Sequence, residues 1–223
     1  MTASYDSSKV YATSMLLYQL AAITLLNMCG ISPLCSLHIN LFLKCFIPII
    51  IIGNTVLLLV IEQRGENVTK KSLIATLWLL LHSLVAFFIG AFVYHIISVL
   101  LGALLFDVVE ETFLFSCLCS SLTIFPLFIV YETRWEEIIN SIGEPLNIRH
   151  VLSDTVKFVS YFTIVGAWLG ALPIPLDWGR DWQTWPITCC VSAMSGNAVG
   201  LFISVLHCVG VFDRIRLTKW KNW

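Results

Sequence analysis

The sequence contains few charged residues. Of its 223 residues, 12% are charged and 58% are hydrophobic, whereas soluble domains carry about 25% charged residues. So little charge could not cover the surface of a water-soluble domain with polar groups. The net charge of −1 provides no overall field that would attract nucleic acid. We therefore expect an integral membrane protein with no sizeable soluble domain and no nucleic-acid partner.

The chain also lacks the motifs of common catalytic and metal sites. It contains no G-x-S-x-G, no H-E-x-x-H and no G-x-x-x-x-G-K-[ST] sequence. Cys117 and Cys119 form a C-x-C pair, and Cys189 is followed directly by Cys190, but neither pair has zinc-site spacing. We predict no catalytic residue, no metal and no cofactor. An oxidising compartment would allow a disulfide among Cys29, Cys35 and Cys45.

Long apolar segments make up most of the chain. A bilayer core of about 30 Å needs around 20 apolar residues in a helix. Segments of this kind lie at 11–31, 41–61, 73–101, 112–131, 158–174 and 187–212. We predict an all-α, polytopic membrane protein with about six transmembrane helices, forming a single transmembrane domain over 1–223. A short interfacial helix is expected at 135–142.

The basic residues indicate the orientation. If the N-terminus is cytosolic, all 13 Lys and Arg except Lys44 and Arg180 lie on the cytosolic side. This bias predicts that both termini are cytosolic. Lys219 and Lys221, at the fifth and third positions from the end, resemble a dilysine retrieval signal of the endoplasmic reticulum. They fit equally well as a basic flank that only sets topology.

Acidic residues cluster where the fourth span is expected to begin. Asp107, Glu110 and Glu111 are three and four residues apart, which places them on one side of a helix. The cluster could contact a cation, an amine or a partner subunit. It could equally be a solvated cap at a helix N-terminus. His82 and His95 of the third span point to opposite sides of a helix, so we do not expect them to form a site.

The stretch 165–188 is the most distinctive. Gly166 and Gly170 form a G-x-x-x-G pair that lets another helix approach closely, and two prolines then end the helix. If the following loop is helical, Trp178, Trp182 and Trp185 share one face. This hairpin would lie at the lumenal headgroup level. It serves either as a docking or lipid-headgroup surface, with Arg180 binding phosphate, or as an aromatic belt with Arg180 paired to a neighbouring Asp.

The same stretch resembles the PIG-F family of glycosylphosphatidylinositol (GPI) anchor synthesis. The resemblance covers GAWLGALPIPLDW from Gly166 to Trp178, then Arg180, 182–183 and 185–187. It also includes 111–115 at the fourth span and 102–103 just before it. It implies residence in the endoplasmic reticulum beside large transferases that add ethanolamine phosphate to mannose of the GPI precursor. It also implies that catalysis belongs to the partner. The resulting candidates for partner or lipid contact are Gly166, Trp168, Gly170, Pro173, Pro175, Asp177, Trp178, Arg180, Trp182, Trp185, Pro186 and Glu111.

The leading hypothesis is therefore a noncatalytic stabilising subunit of ethanolamine phosphate transferase complexes. Its partners would be the large catalytic subunit or subunits and membrane lipid, with the GPI precursor as an open option. The alternative is a lipid-handling enzyme, or a glycolipid transporter or scramblase, that acts on phosphatidylethanolamine or the GPI precursor. Its polar groups would be Glu111, Asp177 and Arg180.

Overall fold

The computed structural model describes residues 2–34, 38–63, 72–104, 106–143, 152–176 and 179–209. Regular structure in these ranges is helical, without a strand. The α-helices are α1 (Thr2–Met28), α2 (Ile39–Gln63), α3 (Leu73–Leu100), α4 (Val109–Leu122), α5 (Ile124–Val130), α6 (Trp135–Gly143), α7 (Leu152–Leu169) and α8 (Ile187–Cys208). Two short 3-10 helices, Ile174–Leu176 and Asp181–Gln183, lie between α7 and α8.

Six helical segments are long and apolar enough to cross a bilayer, which confirms the predicted all-α class and the number of spans. They are α1, α2, α3, α4 with α5, α7 with the 3-10 helix that follows it, and α8. The fourth segment is the most enclosed of the six, and it packs against α2, α3, α7 and α8. The short helix predicted at 135–142 is present as α6.

The fifth span differs from its expected bounds at both ends. α7 begins at Leu152 and not at residue 158, since Asp154 and Lys157 in its first turns lower hydropathy without interrupting backbone hydrogen bonding. The α-helix ends at Leu169, ahead of the expected end at 174. Pro173 accounts for this early end, because a proline ring clashes with the carbonyl four residues before it.

The fourth span is broken in its middle, where a continuous helix over 112–131 was expected. α4 ends at Leu122, Thr123 adopts φ −121° and ψ −70°, and α5 begins at Ile124. Pro126 has no N–H to donate to the carbonyl of Leu122. The Thr123 hydroxyl donates to the Cys119 carbonyl over 2.7 Å and lies 2.9 Å from the hydroxyl of Tyr94 on α3. The break is thus held by contacts with α3.

Buried polar side chains join the helices across the bundle. Gln19 Nε2 on α1 donates to Asn197 Oδ1 on α8 over 2.8 Å, and Asn197 Nδ2 donates to Thr163 Oγ1 on α7 over 2.8 Å. All three residues are buried. Tyr11 likewise donates to Asn54, which connects α1 to α2 over 3.0 Å. Such bonds hold helices together where lipid supplies no hydrophobic driving force between them.

Candidate functional site

The G-x-x-x-G pair of α7 packs against α8 of the same chain. A Cβ added at Gly166 would lie 3.0 Å from the Gly196 Cα, and one added at Gly170 would lie 2.7 Å from the Cys189 Cα. Real Cβ atoms do not approach another backbone this closely, so only glycine fits at either position. The expected close helix approach therefore takes place within the chain, and this face of α7 is occupied.

A second pair of glycines, on α8, completes this interface. A Cβ at Gly196 would lie 3.1 Å from the Gly166 Cα, and one at Gly200 would lie 3.1 Å from the Val159 Cα. Gly196 and Gly200 are four residues apart, and sequence reasoning missed them. Their spacing could have identified them from the sequence, because small residues at this interval mark close helix contacts in membranes.

The α7–α8 loop, residues 170–186, is held together by Gln183. Its side chain is buried. Its Nε2 donates to the Pro173 carbonyl over 2.8 Å, and its Oε1 accepts from the Arg180 backbone N–H over 3.3 Å. Gln183 therefore ties the two limbs of the loop together. Sequence reasoning gave this glutamine no role, although it falls within the distinctive stretch.

The condition for placing three tryptophans on one helical face, a helical loop, is not met in its described part. Only Asp181–Gln183 form a helical turn, and Arg180 and Thr184 on either side are extended. Trp182 and Trp185 both pack partly against the hydrophobic core. Trp178, the third tryptophan, and Asp177 lie outside the described residues.

Trp185 connects the loop to α4. Its Nε1–H donates to Thr112 Oγ1 over 2.9 Å, and the Thr112 hydroxyl donates in turn to the Val108 carbonyl over 3.0 Å. The Trp185 ring meets Phe115 edge-on, with centroids 5.4 Å apart. Pro186, next in the chain, is buried at the start of α8. This half of the loop is therefore anchored, whereas Arg180 and Pro175 are exposed.

The acidic cluster is divided by the start of α4. Asp107 precedes the helix, and Val108, the residue between Asp107 and α4, is in the left-handed region with φ +54°. Asp107 therefore does not share a helical face with Glu110 and Glu111, although the spacing predicted that it would. Glu110 forms an ion pair with Lys44 on α2. Glu111 Oε1 accepts from Asn40 Nδ2 over 2.9 Å. Both glutamates thus connect α4 with α2.

A groove of about 800 Å³ lies between α3 and α7, on the side of the membrane to which the loop belongs. It brings together three of the candidates predicted from sequence: Trp168, Pro175 and Trp185. Phe115 and Cys119 of α4 also line it. The arrangement offers a mostly apolar cleft with no nucleophile–base pair among the lining residues that the structure describes, which suits binding better than bond-breaking chemistry.

The remaining candidates do not join this site. Lys219 and Lys221 lie outside the described residues, as does Cys35; Cys29 and Cys45 are free thiols. His82 Nδ1 lies 2.7 Å from its own helix's Trp78 carbonyl, and the His95 ring packs on Phe113, so the two histidines do not meet. Across the described ranges no group of three or more His, Cys, Asp and Glu could hold a metal ion.

Comparison with known proteins gives a consistent set of relatives. The model of the GPI biosynthesis protein family Pig-F matches residues 11–205. The human "GPI ethanolamine phosphate transferase, stabilizing subunit" is 35% identical over 172 residues, covering 76% of this chain and 75% of the human protein. The mouse protein of the same name is 37% identical over 141 residues, or 62% of each chain.

A fungal relative carries another name. "Glycosylphosphatidylinositol anchor biosynthesis protein 11" of Yarrowia lipolytica is 42% identical over 105 residues, which is 46% of this chain and 44% of that protein. No solved structure matches the chain.

Proposed function

This chain belongs to the GPI biosynthesis protein family Pig-F, and on that premise we propose that it is the noncatalytic stabilising subunit of an ethanolamine phosphate transferase complex. The partner is the large catalytic subunit that adds ethanolamine phosphate to mannose of the GPI precursor. The observation that carries this proposal is the family match over residues 11–205, which takes in nearly all of the six spans. The alignment with the human stabilising subunit covers about three quarters of both chains.

The interior of the bundle is consistent with a scaffold. Gln19, Asn197 and Thr163 use their polar atoms to bind one another across three helices. Glu111 binds Asn40, and Trp185 binds Thr112. Each of these polar groups therefore stabilises the position of one helix against another. A stabilising subunit requires such a rigid arrangement, because it has to present a constant surface to its partner.

We place the partner contact on the exposed part of the α7–α8 loop. Trp168 at the end of α7 is 62% exposed, and Leu172 and Leu176 are more than half exposed. Arg180 projects from the same loop. Exposed Trp and Arg side chains commonly dominate the energy of protein interfaces. The buried candidates, such as Gly166, pack beneath this surface and hold it in position. Asp177 and Trp178 are included in the proposed contact because of their place in the sequence.

The compartment and orientation are part of the same proposal. GPI synthesis and the Lys219 and Lys221 tail support a multi-pass protein of the endoplasmic reticulum membrane. The distribution of Lys and Arg supports cytosolic termini and a lumenal α7–α8 loop. The loop would then face the side on which the proposed catalytic domain of the partner lies.

A mild-detergent pull-down of the tagged full chain from microsomes tests the function. We expect the large transferase to be recovered in nearly equal amount, identified by mass spectrometry. Recovery of this chain alone, with lipid turnover or lipid flux retained, would replace the proposal with the lipid-handling or transporter alternative.

The contact surface has a separate test. Leu176→Arg should reduce recovery of the transferase, because Leu176 is an exposed apolar side chain of the proposed surface. Met28→Arg is the matched control, since Met28 is exposed at the end of α1, on the same side of the membrane. Equal recovery with both variants would remove the loop from the interface and leave the subunit function intact.

A further inference from the structure

The groove between α3 and α7 has the dimensions of a ligand site. Its walls run from Tyr94 to Leu104 on the α3 side and from Thr163 to Pro175 on the α7 side. Phe115 and Cys119 of α4 form part of its lining between these walls. The volume of about 800 Å³ falls within the roughly 300–1,000 Å³ that is typical of small-molecule sites.

The groove extends through only one leaflet of the bilayer. From Tyr94 to Leu101, α3 rises about 10 Å at 1.5 Å per residue, against a hydrocarbon core of about 30 Å. Tyr94 lies at the inner end of the groove, where its hydroxyl meets Thr123 at the break of the fourth span. A transmembrane helix of a partner would cross both leaflets and extend beyond this groove. A lipid tail needs only this one leaflet.

The walls of the groove combine small and bulky side chains. Close helix packing in membranes depends on glycine and other small residues, and Gly166 and Gly170 of α7 are already covered by α8. The groove side of α7 presents the small side chains of Thr163, Ala167 and Ala171 beside the bulky Ile164, Val165 and Trp168. The three bulky side chains are exposed in the described part of the chain, so a ligand entering from the bilayer can reach them.

The loop beside the groove carries a positive charge. Pro175 and Trp185, one on each limb of the α7–α8 loop, both line the groove. Arg180 lies between them in the chain, is exposed, and forms no ion pair with the adjacent Asp181. A guanidinium binds phosphate through two parallel hydrogen bonds. Arg180 is not itself a lining residue, so a ligand with an apolar tail and a phosphate group matches the groove together with this neighbouring loop.

We propose that this groove holds one acyl chain of a membrane phospholipid from the leaflet on the loop side, with the phosphate of that lipid at Arg180. The lipid fills the space between α3 and α7 that no side chain of the described residues occupies. The site is built from α3, α4, α7 and the loop of this chain alone, and it shares Trp168 and Arg180 with the surface proposed for the partner.

Photolabelling in microsomes that contain the full chain tests the site. The probe is a phosphatidylcholine with a diazirine at the end of one acyl chain, and labelled residues are mapped by mass spectrometry. We expect label on Phe115 and Cys119 in the groove. Phe92 on α3 is 63% exposed and should also be labelled, as a reference for general contact with lipid. Cys117 does not line the groove and should stay unlabelled. Label on Phe92 without label on Phe115 or Cys119 would overturn the proposal.

A blocking variant tests whether the lipid occupies the groove itself. Ala167→Trp places an indole on the groove wall and should abolish labelling of Cys119 while preserving that of Phe92. Ala21→Trp, at an exposed position of α1, is the matched control and should change neither. Retained labelling of Cys119 in the folded Ala167→Trp protein would overturn the site. Labelling of Phe92 and the amount of protein in the membrane show whether the variant folds.

The phosphate contact has its own readout. Arg180→Gln should weaken retention of the phosphatidylcholine probe about tenfold, equivalent to ~1.4 kcal/mol. A diacylglycerol probe, which has no phosphate, should label the variant and the original protein equally. Equal losses for the two probes, or no loss for either, would overturn the phosphate contact. A benzophenone amino acid in place of Ile164 tests whether a partner's helix occupies the groove instead of a lipid. A cross-link from this residue to a partner's helix would overturn the lipid proposal.

Discussion

Trp185 and Thr112 are 73 positions apart and are joined by a hydrogen bond of 2.9 Å from the indole Nε1 to the threonine Oγ1. This bond connects the two stretches in which the sequence resembles the PIG-F family, 166–187 and 111–115. Thr112 is fully buried, so the bond is shielded from competing water. The two stretches therefore form one structural unit, in which the start of α4 supports the α7–α8 loop.

Replacing Trp185 with Phe should lower the stability of the protein by about 1 kcal/mol, because the indole N–H is lost while the aromatic contact with Phe115 is largely kept. Thermal unfolding in detergent measures the change. Trp168→Phe is the matched control, since Trp168 is mostly exposed, and it should alter the melting temperature little. Equal effects of the two substitutions would show that the bond to Thr112 contributes nothing measurable.

Gly166→Leu should separate α7 from α8, because no Cβ fits against the backbone of Ser192 and Gly196. Overpacking of this kind costs about 1–3 kcal/mol or more. Size-exclusion chromatography should show less monodisperse protein, with less transferase recovered as a consequence. Ala21→Leu on the exposed face of α1 provides the control. A monodisperse Gly166→Leu protein that still loses its transferase would instead place this glycine in the partner interface.

The bond between Gln19 and Asn197 should be measurable by a double-mutant cycle. Changing both residues to Leu, singly and together, should give a coupling energy of about 0.6 kcal/mol, the average for side-chain hydrogen bonds within membranes. Gln19→Leu and Asn54→Leu should give additive effects, because Asn54 belongs to a separate bond with Tyr11. Zero coupling between Gln19 and Asn197 would contradict the bonded arrangement.

The ion pair of Lys44 with Glu110 should contribute little to stability. Both side chains are more than half exposed, and ion pairs at such positions contribute about 0–1 kcal/mol and are screened by salt. Glu110→Gln should therefore change the melting temperature slightly at low salt and not at high salt. A large loss that persists at high salt would indicate a buried role for Glu110, at odds with its exposure.

The sequence by itself determined the class of the protein. Apolar segments of about 20 residues predict helices across a bilayer, because each helix satisfies its own backbone hydrogen bonds locally. For the same reason the number of spans could be predicted from sequence. The short α6 was predicted on a different ground, as an interfacial helix in the polar stretch after the fourth span. The prolines at 173 and 175 marked the end of the fifth span, although the α-helix ends earlier, at Leu169. The residues of 166–187 alone were enough to indicate the family.

Only the tertiary structure decided which surfaces meet. The close approach at Gly166 could have served a partner, but α8 brings Gly196 to the same place. Pro126 is a local signal for the break at Thr123, but the hydrogen bond that holds it comes from Tyr94 on another helix. Gln183 joins the two limbs of the loop, and Trp185 attaches the loop to Thr112 of α4. Periodicity predicts which face of a helix is apolar, but in a membrane that face can meet lipid, a partner or the same chain. In this protein, contacts between residues far apart in the sequence determine which of these each face meets.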